Sequence, residues 1–261
     1  MKFGICGSAN RTPGILEALV GAKYDFIEEN LFRADALDEA GFEALCETYK
    51  KAGVEVHSCN NLFSPEVTIY GENSLAEIEV YAKRVFAKAA KLGAKICVVG
   101  SGKARSIPEG MSVEAAKERF VEMLRICGDA AAVYGIQLVI EPLYRNDSNF
   151  IHTVAEAVEL AKASGRDNVG ALVDFYHFSM NGEDEHGLEC AKGMLFHAHM
   201  ARPGDRRMPR EENAEQLKTW LKMLKDIDYH GDIALEGKFD TENLLEDFAK
   251  TAEMMADYRA L

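Results

Sequence analysis

The chain lacks the segments that mark membrane-spanning and secreted proteins. Among its 261 residues, no stretch approaches the roughly 18 continuous apolar residues that a transmembrane helix needs. The opening MKFGICGSANR carries one lysine but neither the apolar stretch nor the cleavage site of a secretory leader. We therefore expect a cytoplasmic protein that does not bind membranes.

Paired cysteines and basic residues are also scarce. The six cysteines are widely spread and include no C-x-x-C pair, so we expect neither disulfides nor a thiolate zinc site. Thirty Lys and Arg face 43 Asp and Glu, which gives a net charge of −13. Because such a surface repels phosphate backbones, the composition disfavours nucleic acid as a partner.

Linkers, low-complexity tracts and glycine fingerprints are missing as well. With 48% apolar and 28% charged residues the chain can bury a full core, and nothing in it marks an internal boundary. GICGSANR is not the G-x-G-x-x-G of a dinucleotide-binding sheet, and no G-x-S-x-G elbow occurs. We therefore predict one domain over residues 1–261.

What the chain does contain is an alternation of two patterns. Amphipathic segments with apolar residues three and four apart, among them Leu37–Gly53, Leu75–Gly93 and Val113–Gly135, end on a glycine suited to a helix C-cap. Eight strand candidates alternating with such helices predict an α/β protein, a single-domain (β/α)₈ or TIM barrel. These candidates are short apolar, β-branched or aromatic runs beginning at Lys2, Tyr24, Val54, Lys95, Ile136, Asn168, Met194 and Asp232.

Less regular stretches follow several of the strand candidates. In a (β/α)₈ barrel the loops after the strands build the active-site face, so we expect the functional residues in or beside these stretches. They are Asn61–Asn73, Ser101–Met111, Leu143–Phe150, Phe178–Gly187 and Arg202–Glu212.

Ionisable residues stand near the ends of the last four strand candidates: Glu141, Asp174, His199 and Glu236. A barrel brings these ends to one rim, where three carboxylates would repel one another unless a cation neutralised them. Oxygen ligands with one imidazole suit Mn²⁺, Mg²⁺ or Co²⁺ better than a thiolate zinc site, and zinc remains compatible with this set. The sequence thus predicts one divalent metal ion, manganese foremost. The alternative for each residue alone is a salt-bridged or rim-exposed charge.

Other polar residues near these positions admit two interpretations. His197 fits a hydrogen-bonded core histidine, whereas His177 is expected in the loop after its strand, contacting substrate or supporting the ligands. Lys238 lies two residues beyond Glu236 and either binds a substrate oxyanion or is simply solvated. Of the four arginines in ARPGDRRMPR, only Arg206 is assigned to substrate, the others to a solvated face or an oligomer contact.

The motifs EPLYRND, VDFYHF, HAHMARPGDRRMP and IALEGKF resemble those of the xylose isomerase-like barrels, in particular the sugar phosphate isomerase/epimerase family that includes the ketose 3-epimerases. The resemblance implies that Glu141, Asp174, His199 and Glu236 hold one metal ion, with Glu141 and Glu236 also forming the acid/base pair. It places His177 and Arg206 against the substrate.

One motif departs from the ketose 3-epimerase pattern. Those enzymes carry E-x-x-N-R-[FY]-E, whereas here Tyr144 replaces the Asn and Asp147 the final Glu. Asp147 is accordingly assigned to substrate binding, and the identity of the substrate stays open.

Three functions compete on these grounds. The first is a metal-dependent sugar isomerase or epimerase that moves a proton next to a carbonyl through an enediolate. The second is a lyase that eliminates the aglycone of a 3-keto-glycoside, like the barrel subunit of a C-glycoside deglycosidase. The third is a non-catalytic sugar-binding barrel. A small carbohydrate is the expected ligand in each case, and a homo-oligomer or a second subunit remains open.

Overall fold

Eight short strands, almost entirely buried, pair in parallel and in chain order, and the first also pairs with the last. The computed structural model describes residues 1–72 and 74–256. Residue 73, which ends the predicted stretch Asn61–Asn73, and residues 257–261 of the predicted domain lie outside this part. The prediction of a single-domain (β/α)₈ barrel is confirmed. The strands are β1 (Phe3–Cys6), β2 (Phe26–Asn30), β3 (Glu55–Asn60), β4 (Ile96–Val99), β5 (Gln137–Ile140), β6 (Val169–Asp174), β7 (Leu195–Met200) and β8 (Ile233–Leu235).

Helices pack around the barrel where the amphipathic segments predicted them. The long helix before β3 ends at Gly53, whose φ of 66° is a left-handed conformation that costs glycine little. None of the helices in the described ranges is both long and apolar enough to cross a bilayer. The helices are α1 (Ile15–Gly21), α2 (Leu31–Asp35), α3 (Glu39–Ala52), α4 (Ser74–Leu92), α5 (Val113–Ala132), α6 (Val154–Ser164), α7 (Phe175–Met180), α8 (Glu185–Glu189), α9 (Ala214–Asp226) and α10 (Leu244–Met255).

Alternating side chains along each strand separate the inside of the barrel from its outer layer. On β4, Cys97 and Val99 join the large apolar core shared with the helices, whereas Ile96 and Val98 form a small separate cluster with Val139 and Leu172. This second cluster fills part of the barrel interior. The polar groups described below lie toward the carboxyl ends of the strands.

The segment after β6 differs from its prediction. We expected an irregular stretch over Phe178–Gly187, but α7 extends into it from one side and α8 begins within it. Asp174 explains the difference, because its side chain accepts a hydrogen bond from the backbone N–H of Tyr176 (2.8 Å) and caps the N-terminus of α7. The strand therefore passes directly into a helix.

Candidate metal centre and active site

The four predicted ligands converge at the carboxyl ends of consecutive strands. Glu141 and Glu236 directly follow β5 and β8, while Asp174 ends β6 and His199 lies on β7. One ligand atom from each of these residues lies within 4.8 Å of the others. The structure thus brings together side chains spread over 95 residues of sequence, and their role as ligands remains a prediction.

The backbone around Glu141 is shaped by two residues that sequence reasoning missed. Gly100 follows β4, and a Cβ there would lie 1.8 Å from Glu141 Oε2, so only glycine leaves room for this carboxylate. The fully buried Arg105 donates to the backbone oxygens of Val99 (3.1 Å) and Glu141 (2.7 Å) and ties the two strand ends together. The available signal was a glycine at a strand end followed by an arginine in the next loop.

Arg206 lies over the ligand cluster. Its Nη2 donates to Asp174 Oδ2 (2.8 Å) and Glu236 Oε2 (2.6 Å), and its guanidinium packs on the ring of Tyr176 at 4.8 Å from the ring centre. Burial alone would lower the pKa of Arg206, but the charges of Glu236, Asp174 and Glu141 outweigh it and raise the pKa above its ordinary value. The arginine predicted to contact substrate is therefore held at the ligands by charge.

His177 also reaches the cluster, but from a helix. The prediction that it lies in a loop is wrong, because the cap at Asp174 starts α7 before this residue. Its Nδ1 accepts the backbone N–H of Tyr144 (3.0 Å). Its Nε2 lies 2.6 Å from Arg206 Nη1, 3.8 Å from Asp174 Oδ2 and 3.9 Å from Glu141 Oε1. Because Tyr144 supplies this hydrogen bond from its backbone, the change from the family's asparagine leaves the contact intact.

The other two predicted substrate residues lie further out. Asp147 is about half exposed, with its Oδ2 3.8 Å from His177 Nδ1 at the edge of the cluster. Lys238 is exposed and lines a different cavity of about 400 Å³ beside Arg207 and Arg210. The expected alternation past Glu236 fails because β8 already ends at Leu235, and the backbone of Lys238 forms an isolated bridge with Arg207.

Sequence reasoning also missed Glu28 on β2. This fully buried carboxylate accepts hydrogen bonds at Oε2 from His197 Nε2 (2.7 Å) and Ser58 Oγ (2.5 Å), and its Oε1 lies 2.8 Å from His199 Nε2. The prediction that His197 is a hydrogen-bonded core histidine is confirmed. The signal that could have revealed Glu28 is the acidic pair inside the apolar run YDFIEEN.

A scan against protein-family models matches residues 16–258 to the xylose isomerase-like TIM barrels. The chain belongs to this family. Among curated proteins, the D-psicose 3-epimerase of Agrobacterium fabrum is 33% identical over 125 residues, which cover 45% of this chain and 40% of that protein. The chain therefore matches less than half the length of this relative. The 3-dehydro-D-guloside 4-epimerase of Escherichia coli is 24% identical over 260 residues, covering 93% of this chain and 94% of that protein.

One solved structure with the same fold was determined with a metal. The IolI protein, determined with a bound zinc atom, superposes on this xylose isomerase-like barrel with a TM-score of 0.78 at 21% identity, over all of both chains. At this identity the likeness establishes the fold. Whether the residues of the present chain suit a metal ion has to be judged from their own chemistry.

Charge accumulates in the centre of this xylose isomerase-like barrel. Burial and the repulsion of Glu236 and Asp174 raise the pKa of Glu141. Burial acts in the same direction on Glu236, but the charges of Arg206 and His199 outweigh it and lower the pKa of Glu236 to about 2. For His199, burial would lower the pKa, yet Glu28 and Glu236 outweigh it and raise the pKa well above its ordinary value. The carboxylates of the cluster therefore favour the positively charged forms of the neighbouring His199 and Arg206.

The donor set fits a divalent cation. Glu141 Oε1 and His199 Nδ1 are buried and make no directed hydrogen bond within the described ranges, although both point into the cluster. Three carboxylates and one imidazole are ligands that Mn²⁺, Mg²⁺, Co²⁺ and Zn²⁺ accept, and the positive charge would offset the carboxylate repulsion. Glu141, Asp174, His199 and Glu236 would hold the ion.

Proposed function

We propose that this protein is a divalent-metal-dependent sugar isomerase or epimerase, with manganese as the preferred ion. The observation that carries the proposal is the convergence of Glu141, Asp174, His199 and Glu236 into one buried cluster. Such a cluster combines acid/base carboxylates with ligands for a cation, which is what proton transfer next to a carbonyl requires. The names of the curated relatives support the same reaction class.

Glu141 and Glu236 are the proposed acid/base pair. Removing a proton from the carbon next to a carbonyl leaves an enediolate, and a divalent cation held by the four proposed ligands would supply positive charge to its oxygens. One glutamate takes this proton, and the other returns a proton to the neighbouring position or to the opposite face of the same carbon. Both carboxylates lie within 4 Å of His199 Nδ1, at 3.7 Å and 3.1 Å, so a substrate that binds beside this cluster meets both.

Arg206, His177 and Asp147 are proposed to orient the substrate. The hydrogen bonds from Arg206 to Asp174 and Glu236 hold its guanidinium beside the proposed ligands, where its positive charge suits carbonyl or hydroxyl oxygens. His177 is held by the backbone of Tyr144, so its Nε2 keeps a set direction toward the cluster. Asp147, at the exposed edge, is placed to bind an outer hydroxyl. Lys238 would contact only a substrate that extends into the neighbouring cavity.

A lyase acting on 3-keto-glycosides is the second candidate. The relative that matches over 93% of the chain is named for a 3-dehydro-glycoside, and a keto group of this kind acidifies the hydrogen needed for β-elimination. The same carboxylate would remove the proton, after which the aglycone leaves. This function could require a second subunit, whereas an epimerase could act as a homo-oligomer. For both functions we propose a cytoplasmic location and a small carbohydrate substrate, free or phosphorylated.

Proton exchange in heavy water distinguishes the two functions. The Mn²⁺-supplemented protein is incubated in D₂O with ketoses, their phosphates, inososes and 3-keto-glycosides, and the products are followed by NMR. An isomerase or epimerase gives a product of unchanged composition with deuterium on carbon. A lyase gives an unsaturated keto-sugar and a free aglycone. If the metal-loaded protein binds one of these sugars but produces neither exchange nor product, the third function, a sugar-binding barrel, is favoured instead.

With a substrate in hand, Glu141→Gln and Glu236→Gln test the acid/base pair. Each is expected to lower kcat by at least about 100-fold, the contribution typical of general acid–base groups. Metal content is measured alongside, because each glutamate is also a proposed ligand. Glu159→Gln, at an exposed position of α6, is the matched control and should retain activity. Near-normal turnover in either site variant would contradict the assignment.

A further inference from the structure

We propose that Glu28 is a positioning residue of the metal centre, which orients His199 and fixes the ring nitrogen that carries its proton. This inference rests on the proposed role of His199 as a ligand. Glu28 lies on β2, far in sequence from the proposed ligands, and its side chain is wholly buried, with an exposure of 0%. A carboxylate in that position needs partners strong enough to offset its lost hydration.

The course of β2 aims Glu28 into the barrel. Side chains alternate along this strand: Phe26 packs with Cys6 and Ala234, Ile27 joins the core shared with the helices, and Glu28 points inward again. The register shift with β3 passes over His57 and places Ser58 opposite Glu28. The next residue, Glu29, is equally buried but bonds to Ser8 and Tyr49 rather than to the histidines of β7. The two consecutive glutamates thus have different hydrogen-bonding partners, and of the two only Glu28 contacts the cluster.

Glu28 contacts both histidines of the H-x-H motif. Oε2 accepts hydrogen bonds from His197 Nε2 (2.7 Å) and Ser58 Oγ (2.5 Å). Oε1 lies 2.8 Å from His199 Nε2 and accepts the thiol of Cys6 at 3.5 Å. All four neighbours are donors or can act as donors, so the carboxylate is saturated in its ionised form. Together with this hydrogen bonding, the charge of His199 and His197 holds the pKa of Glu28 well below its ordinary value, despite burial.

This arrangement decides the tautomer of His199. A lone pair on Nε2, 2.8 Å from Glu28 Oε1, would be repelled more strongly than one on Nδ1, whose nearest carboxylate oxygen is 3.1 Å away, so a neutral His199 carries its proton on Nε2. Nδ1 is then left with a lone pair directed at Glu236 Oε2 (3.1 Å) and Glu141 Oε1 (3.7 Å), where the ion is proposed to bind. Metal-binding histidines usually have their other ring nitrogen tied to such a partner.

A second grouping deserves comparison. Cys6, Glu28 and His199 could by spacing hold an ion of their own. Cys6 donates a hydrogen bond to Glu28, however, and Glu28 Oε1 lies at ion-pair distance from His199 Nε2. Burial together with the charge of Glu28 raises the pKa of the Cys6 thiol well above its ordinary value. The geometry favours a proton rather than a metal between Glu28 and His199.

Glu28→Gln and Glu29→Gln form a matched pair that tests the proposal. Glutamine at position 28 offers one acceptor and one donor, so one of the two histidines loses its acceptor. Binding of Co²⁺ and Mn²⁺ is measured by competition with a chromophoric chelator. We expect Glu28→Gln to weaken binding by about 10- to 100-fold and to change the visible d–d spectrum of bound Co²⁺. Glu29→Gln, which makes the same chemical change outside the barrel interior, should match the wild type within about twofold.

The tautomer is tested in the wild-type protein, which keeps the proposal falsifiable if Glu28→Gln does not fold. In ¹⁵N-histidine-labelled protein, with the His199 resonances assigned by their loss in His199→Asn, we expect a protonated Nε2 in the metal-free protein, and a protonated Nε2 with an unprotonated Nδ1 when diamagnetic Zn²⁺ is bound. A neutral His199 that carries its proton on Nδ1 and none on Nε2 would overturn the proposal. So would unchanged Co²⁺ affinity and spectrum in a folded Glu28→Gln, or two Co²⁺ per chain with a thiolate charge-transfer band. Failure of the wild type to bind any ion would overturn the metal role of the site, while the tautomer would still report on Glu28.

Discussion

At the scale of single residues, the backbone at the end of β4 leaves no space beside the carboxylate of Glu141. Gly100 lies against the carboxylate of Glu141, and any Cβ at this position would overlap Glu141 Oε2 at 1.8 Å. Arg105 fixes the backbone of Glu141, so the side chain cannot escape by a shift of the strand end. The only available relief is rotation of the Glu141 carboxylate away from the cluster.

Gly100→Ala should therefore impair the site more than the fold. We expect metal affinity and kcat to fall by about tenfold or more, because a misplaced group at the reacting centre is costly. Gly187→Ala, on α8, is the control, since its nearest neighbour, Glu183 Oε2 at 3.3 Å, has to move by only a few tenths of an ångström. Chelator competition and thermal unfolding separate the two effects. An unchanged metal affinity in Gly100→Ala would show that Glu141 is not held where the structure places it.

At the scale of elements, α6 begins with an unusual partner. A capping box of Thr153 and Glu156 closes its first turn, and Glu183 from the segment before α8 also accepts the backbone N–H of Val154 (3.0 Å). The other oxygen of Glu183 is buried without a hydrogen bond among residues 1–72 and 74–256. Burial, reinforced by the charge of Glu156, raises the pKa of Glu183 from 4.5 to about 7.

This carboxyl should make stability depend on pH. Between pH 4.5 and about 7 the unfolded chain loses the proton while the folded protein keeps it, so stability falls through this window and levels off above it. Glu183→Gln removes the free-energy cost of ionising this buried carboxyl group. We expect the variant to be about 1–3 kcal/mol more stable than the wild type at pH 8 and nearly equal to it at pH 4.

Urea unfolding at several pH values measures this difference. Glu185→Gln, exposed in the first turn of α8, controls for the loss of a negative charge in the same segment. A stability difference between Glu183→Gln and the wild type that does not change from pH 4 to pH 8 would show that Glu183 ionises freely in the folded protein.

At the scale of the whole molecule, metal binding should stabilise the fold. The site joins β5, β6, β7 and β8, so an ion held there links four strands that the unfolded chain leaves apart. A ligand that binds only the folded state, at a free concentration of 100 times its Kd, adds about 2.7 kcal/mol to the free energy of unfolding. For a protein of this size that corresponds to a rise in Tm of about 5–10 °C.

Calorimetry with Mn²⁺ and with a chelator measures the rise, and elemental analysis should give one ion per chain. Asp174→Asn should abolish the Mn²⁺-dependent shift in Tm, since it removes the negative charge of a proposed ligand. Asp174 is only 2% exposed, so water cannot take the place of the lost carboxylate. Asp226→Asn, at the exposed end of α9, should retain it. The same Mn²⁺-dependent shift in Asp174→Asn would place the ion elsewhere.

The sequence by itself determined the barrel and the four ionisable side chains that meet at its rim. Strand and helix periodicities are local signals, so eight strands and the three long amphipathic helices were found where they occur. Glu141, Asp174 and Glu236 were conspicuous because a charged residue at the end of an apolar run is rarely buried in a core without a partner. The parallel barrel then requires neighbouring strand ends to meet, which is why their convergence could be inferred from topology.

The tertiary structure alone decided how these residues are supported. Glu28 and His197 are 169 positions apart, and no local pattern could indicate that β2 and β7 bring them into contact inside the barrel. Lys238 was assigned to the site by strand alternation, but the early end of β8 removed the basis for it. Periodicity describes one element at a time. The partners of a buried charge depend on which distant elements the closed barrel places around it, because only there does its lost hydration have to be replaced.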